Sequence, residues 1–241
     1  MDQTKRTARI AGLLYLIIIV TAGFSEAGVR ASVIVPGDAA ATAANIRASE
    51  MLFRAGFVAD LVAFMSDLAV AVLLYVLLRP VSRTVAMVAA GFRLLAHPAI
   101  AAVNMLNHLG ALMVLGGPAY LSSFDPQQRE ALALLAMEMH GYGYLIGGAF
   151  FGVHLALLGW LLARSELFPT VLGLLVAAAA AGYLVESFGM FLFPAHEAIY
   201  TGLVTVTAVL GEVVLCLFLL VKGVRRVPVD APGQWAAAEG E

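Results

Sequence analysis

Cysteine is all but absent from this 241-residue chain, and the one present, Cys216, rules out an intrachain disulfide and any thiolate metal cage. Charge is scarce as well, at 12% Asp, Glu, Lys and Arg, where an average soluble domain carries about 25%. No phosphate loop, nucleophile elbow or HExxH pattern occurs. Without charge to cover its surface, a soluble chain of this length cannot hide the 62% of residues that are hydrophobic. A soluble enzyme, a disordered chain and a nucleic-acid binder are thereby excluded, and a polytopic membrane protein, with the lipid bilayer as its partner, is left. The formal net charge of −2 argues against a polyanionic partner.

A membrane span needs about 20 apolar residues. Six stretches qualify, approximately 9–27, 56–78, 84–115, 141–163, 169–192 and 199–221, which predicts an all-α bundle of six transmembrane helices. Basic residues gather beside alternate ends: Lys5, Arg6 and Arg9, then Arg79 and Arg83, Arg164, and finally Lys222, Arg225 and Arg226. The excess of positive charge predicts that both termini are cytoplasmic, and an even number of spans demands that they share a side. A basic start before an apolar run also resembles a secretory signal, but Ser25, Glu26 and Arg30 read as a helix continuing to the interface, so the first span is expected to be retained. The expected home is the bacterial inner membrane, with a six-span domain over 1–226 and a disordered cytoplasmic tail over 227–241.

The connections carry signals of their own. Asp38 begins an alanine-rich stretch to Ser49 that reads as a short external helix capped by Asp38. Asp125-Pro126-Gln127-Gln128 has the N-cap, the proline and the box-closing glutamine of a helix start, so the fourth helix is expected to begin outside the membrane and run to Arg164. Short likenesses between the starts of the odd spans hint at three helical hairpins.

Ionisable groups in hydrocarbon cost a few kcal/mol or more each and must face the bundle interior. At 1.5 Å per residue, Asp67 lies roughly 18 Å from Arg79, and Arg93 about 15 Å from Arg83. His154 lies about 15 Å from Arg164, and Glu212 about 15 Å from Lys222. Four helices thus bring Asp67, Arg93, His154 and Glu212 to one level near the midplane, as a candidate catalytic cluster. One guanidinium against two carboxylates leaves a net negative cluster if His154 is neutral, so the cluster is expected to hold a proton. A buried Arg93–Asp67 or Arg93–Glu212 pair that only fixes helix register is the structural alternative.

Further polar residues extend this set. Arg93, His97, Asn104 and His108 follow helical spacings of 4, 7 and 4, which place them on one face; Pro98 frees a carbonyl and favours a kink. Asp60 and Asp67 share a face, and Tyr183 and Glu186 sit higher in the fifth span. With His140 and Tyr144 these residues are candidates for a polar ligand cavity opening outward. His140 and His154 lie fourteen apart, a spacing two-haem cytochromes use, with His108 and His97 as the opposite ligands of a haem b alternative. No compact ligand set for zinc is present, and no metal is expected. Gly143, Gly147, Gly148, Gly152 and Gly159 give the fourth span a small face for close helix packing, including packing in a homo-oligomer.

The strings RIAGLLYL (9–16), LFRAGFVADL (52–61), YVLLRPVSR (75–83), FRLL (92–95), HGYGY (140–144), FFGVHLALLGWLLARS (150–165), GYLVESF (182–188) and GEVVLCLFLLVKG (211–223) occur in this order. Together they resemble the bacterial membrane family catalogued as domain of unknown function 4386, over roughly residues 5–225. The resemblance implies six spans and an uncleaved first helix, and implies no activity. Its motif positions include Arg54, Asp60, Arg93, His140, His154, Glu186 and Glu212, whereas His97 stands where the family more often has another polar residue, which weakens the haem alternative.

These observations lead to an expected small or lipophilic ligand, such as an isoprenoid, bound in a polar intramembrane site. In an enzyme, Asp67 or Glu212 would be the acid or base, Arg93 the electrostatic stabiliser and His154 a relay. A proton-coupled carrier and a non-catalytic accessory subunit are the alternatives.

Overall fold

In hydrocarbon every backbone N–H and C=O must be satisfied within the protein, and long apolar runs do so as helices. The computed structural model describes residues 3–225; the tail predicted over 227–241 lies outside them. Among the described residues there are helices and turns and no strand. The chain runs through α1 (Gln3–Val33), α2 (Ala39–Ala48), α3 (Glu50–Leu78), α4 (Arg83–Leu115), α5 (Pro126–Arg164), α6 (Thr170–Leu192) and α7 (Pro194–Val221). All but α2 are long and apolar enough to cross a membrane. The chain is therefore a multi-pass, all-helical membrane protein. Large apolar side chains point outward all along these helices, among them Leu13, Met65, Leu95, Leu106, Ile146, Leu174 and Val221.

The helix signals in the connections are realised. Asp38 caps α2 by accepting from Ala41 N at 2.9 Å. Asp125 and Gln128 form a reciprocal box: Gln128 N donates to Asp125 Oδ1 at 2.8 Å, and Asp125 N donates to Gln128 Oε1 at 2.9 Å. Three boundaries move, one of them the start of α7, which lies at Pro194 rather than near 199. Where 27 is expected as the end of the first span, α1 runs on to Val33, and α3 begins at Glu50 rather than near 56.

Three of the spans contain a π-helical turn: Phe24–Arg30 in α1, Phe92–Ala96 in α4 and Val209–Val213 in α7. Such a turn accommodates one extra residue and often marks a functional position. In α4 the cause is visible in the sequence. Pro98 offers no N–H, and its ring crowds the carbonyl four residues back, at Leu94, so the preceding turn widens. Each π turn holds an ionisable residue: Glu26 and Arg30, Arg93, and Glu212.

The chain divides into two compact units. The first comprises the stretches up to Leu16, Ser66–His97 and from Gly148 onward. Its helices approach closely through glycine. A Cβ at Gly173 would collide with the backbone of Gly159 and Ala163, so α5 and α6 touch main chain to main chain. Gly152 meets Leu184 and Gly148 meets Ser187, so these small residues of α5 are occupied by α6 of the same chain. At the other side of this unit, Gly12 of α1 abuts Leu219 and Leu220 of α7.

The second unit comprises Ile17–Met65 and Pro98–Gly147. Its apolar core is Val29, Val33, Ile46, Phe53, Ala111, Ala133 and Met137. Asn45 ties α2 to the end of α1 by donating to Val33 O at 3.2 Å, and an Arg47–Glu130 ion pair of 2.9 Å ties α2 to α5.

Candidate functional site

Each unit is organised around one buried arginine carried by a π turn. In the first, Arg93 is 1% exposed. A lone guanidinium there would be prohibitively costly, so it must be paired and hydrogen-bonded. Its Nε donates to Asp67 Oδ1 at 2.9 Å and its Nη2 donates to the same oxygen. Its Nη1 faces His154 Nε2 at 3.2 Å. The other nitrogen of that ring, Nδ1, lies 2.8 Å from Ala89 O. A carbonyl only accepts, so Nδ1 carries the proton and Nε2 offers its lone pair to Arg93: His154 sits as a neutral ring. His97 Nδ1 meets the second oxygen of Asp67, Oδ2, at 3.0 Å. The rings of Tyr15 and Phe151 lie 5.1 and 5.2 Å from the Arg93 guanidinium carbon.

Glu212 joins this network through tyrosines. Tyr15 donates to its Oε2 at 2.9 Å and Tyr183 to its Oε1 at 2.8 Å. Among the described residues no ion pair joins it to a cation. Arg93 and Asp67 cancel in charge, so Glu212 is the member whose charge no direct contact offsets. Glu212 and His97 are also partly exposed, whereas Asp67, Arg93 and His154 are buried. Beside His154, between Ala71, Leu74, Ala89 and Leu158, the free space is about 10 Å³, room for at most about one water.

In the second unit the arginine is Arg30, which the sequence places on the first helix at the membrane interface and not in the interior. It is 4% exposed. Its Nη1 reaches Asp60 Oδ2 at 2.6 Å and Ser25 Oγ at 2.7 Å, and its Nε reaches Glu26 Oε2 at 2.8 Å. Tyr144 lies under the guanidinium and donates to Asp60 Oδ1 at 3.1 Å. Around this pair stand two imidazoles. His108 Nε2 faces Phe53 O at 3.0 Å, and His140 Nδ1 faces Asn104 O at 2.9 Å. The two rings are edge to face with centroids 5.4 Å apart. Asp60, His108 and His140 each offer one ligand atom, and these three atoms lie within 4.8 Å of one another. Sequence spacing shows no such set, because its members come from three helices.

The residues predicted from the sequence thus divide between the units. Asp67, Arg93, His97, His154, Tyr183 and Glu212 meet in the first, with Tyr15 and Phe151 as members that carry no polar signal in an apolar run. Asp60, Asn104, His140 and Tyr144 belong to the second, with Arg30, Ser25 and His108. Glu186 is half-buried beside Thr201 and touches neither arginine. The haem alternative sets His97 opposite His154 and His108 opposite His140; the two nitrogens of His154 face Arg93 Nη1 and Ala89 O.

Comparison with known proteins adds the family. The model of the family described as domain of unknown function 4386 matches residues 10–223. The chain belongs to that family. A protein of Archaeoglobus fulgidus, described as an uncharacterized protein, is 31% identical over 159 residues, which is 65% of this chain and 76% of that protein. No solved structure matches. Membership of family 4386 accords with a membrane protein that buries charged residues and carries no activity with it.

Proposed function

We propose that this family 4386 protein resides in the bacterial cytoplasmic membrane with both termini inside, and that it binds a small or lipophilic ligand against the Arg93 network, with Glu212 exchanging a proton. The observation that carries this reading is the position of Glu212. It is a carboxyl within a membrane span, on a residue that is only partly buried, held by two tyrosine hydroxyls and, among the described residues, without an ion-pair partner. A carboxylate in hydrocarbon without a counterion is neutralised most cheaply by a proton. Asp67 has both oxygens committed, to Arg93 and His97, and serves as the fixed counterion. The space beside His154 is too small for a substrate, so the ligand approaches from the bilayer side of Glu212 and His97.

Hydrophobic carbodiimides react only with protonated carboxyls, which makes the reading testable without knowing the ligand. In membranes holding the full chain, peptide mass spectrometry after carbodiimide treatment is expected to find the adduct on Glu212, with none on Asp67 and less as the pH rises. Glu212→Gln is expected to abolish the adduct while the protein still extracts and elutes as a folded species. An unmodified Glu212 in intact membranes would leave a packing network as the better reading.

A further inference from the structure

The Arg30 cluster contains something the Arg93 network lacks: buried acceptors with nothing to accept from. The carbonyls of Phe53 and Asn104 only accept, so they hold the ring protons on His108 Nε2 and His140 Nδ1. The opposite nitrogens, His108 Nδ1 and His140 Nε2, are then lone pairs. Both are buried and without a hydrogen-bond partner, on residues 0% and 1% exposed. The third group, Asp60, is acceptor-only when ionised and 1% exposed. One ligand atom from each of Asp60, His108 and His140 lies within 4.8 Å of the other two. Asp60 already accepts from Tyr144 and Arg30, so the unmet acceptors are the two imidazole lone pairs beside an ionised carboxylate.

From this convergence we propose that Asp60, His108 and His140 form a binding site for a divalent transition-metal ion of the Zn²⁺ or Fe²⁺ type. Two imidazoles and a carboxylate are a donor set that such ions accept, with open positions left for water or another ligand. The surroundings are those of metal ligands. Each imidazole points its N–H at a backbone carbonyl, which fixes the tautomer, and Asp60 is oriented by Tyr144 and Arg30. A tetrahedral ion with bonds of about 2.0–2.1 Å sets its donors roughly 3.3 Å apart, so the three side chains draw inward by on the order of 1 Å.

The guanidinium of Arg30 beside Asp60 is the obvious objection. Arg30 is shared, however, between Asp60 at 2.6 Å and Glu26 at 2.8 Å. The Glu26–Arg30–Asp60 group is therefore net negative by one charge before any metal arrives, and each carboxylate oxygen keeps a second lone pair. All members belong to one unit, and the inference is independent of any role for Glu212.

The full chain, purified in detergent, stripped with a chelator and dialysed, is to be titrated with Co²⁺. The expected result is about one tightly held Co²⁺ per chain, with the visible bands of a four- or five-coordinate ion that Zn²⁺ then displaces. His108→Ala and His140→Ala are each expected to weaken binding by at least about tenfold, and His196→Ala, at an exposed position of the other unit, to leave it unchanged. A wild-type protein that shows only the spectrum of hydrated Co²⁺ and sheds it on gel filtration overturns the proposal. Wild-type affinity in folded His108→Ala and His140→Ala variants overturns it as well. The decisive reading is on the wild type, so a variant that fails to fold does not blur the outcome.

Discussion

The Arg93 and Arg30 clusters are built from the same parts. Each has a buried arginine on a π turn, an aspartate from α3, a tyrosine ring against the guanidinium and two histidines. They differ in whether the parts use each other up. Around Arg93 every donor and acceptor named above has a partner. Around Arg30 two imidazole nitrogens and the side-chain oxygen of Asn104 are buried with none. Buried polar groups in proteins are nearly always satisfied, and the exceptions need a reason. The comparison teaches that counting buried charges does not separate a brace from a receptive site, whereas counting their unmet hydrogen bonds does.

Matched substitutions in the two units put that contrast at risk, read as thermal unfolding in detergent. The largest effect is expected from removing the arginines. Arg93→Ala leaves Asp67 in the interior with only its contact to His97 and should cost about 3–5 kcal/mol. Arg30→Ala should cost less, about 1–3 kcal/mol, because Asp60 keeps the Tyr144 hydroxyl and Glu26 is largely solvated. Equal losses would mean that the two clusters are equivalent braces. Next come the glycines. Gly173→Ala drives a methyl into the main chain of α5, which cannot turn aside, and should cost about 1–3 kcal/mol. Gly143→Ala meets the Asn104 amide, a side chain that can rotate, and should cost under about 1 kcal/mol. Effects of the same size as at the glycines are expected at the histidines. His154→Phe gives up two hydrogen bonds, for about 1–3 kcal/mol. His108→Phe gives up one bond and also removes an unmet acceptor, so the metal-free protein should change by under about 1 kcal/mol. A larger loss at His108 than at His154 would reverse the assignment of brace and site.

Much of this was legible in the residues. Counting 1.5 Å per residue inward from the basic ends brought Asp67, Arg93 and His154 to one level, and the three are in contact. That count works because each interval is short and lies within one helix. Glu212 reaches the same network, but through Tyr15, whose hydroxyl sits in an apolar run with nothing to mark it. Arg30 was legible as part of the first helix continuing to the interface, where a charge is expected to be solvated, but not as a buried residue at the centre of a cluster. The Asp60, His108 and His140 set was illegible for another reason. Ligand motifs read from sequence require neighbours, and these three meet only through tertiary packing. Depth along the helices did put His108 opposite His140, and these two rings meet; what depth did not show is Asp60 beside them.

The length of α5 has a practical consequence. Its 39 residues make a rod of about 58 Å, against a hydrocarbon thickness of about 30 Å. Even tilted by about 40°, the upper end of the usual range, it overshoots by roughly 15 Å. A stretch of α5 therefore lies outside the hydrocarbon whatever its tilt, and the Asp125–Gln128 start and the Arg47–Glu130 tie to α2 mark it as the end that does. The native chain has one thiol, Cys216, which is 1% exposed. A single cysteine placed at Glu130 in a Cys216→Ala background thus becomes a reporter for an impermeant maleimide, and its reactivity in sealed vesicles of known orientation reads out which face of the membrane this end occupies.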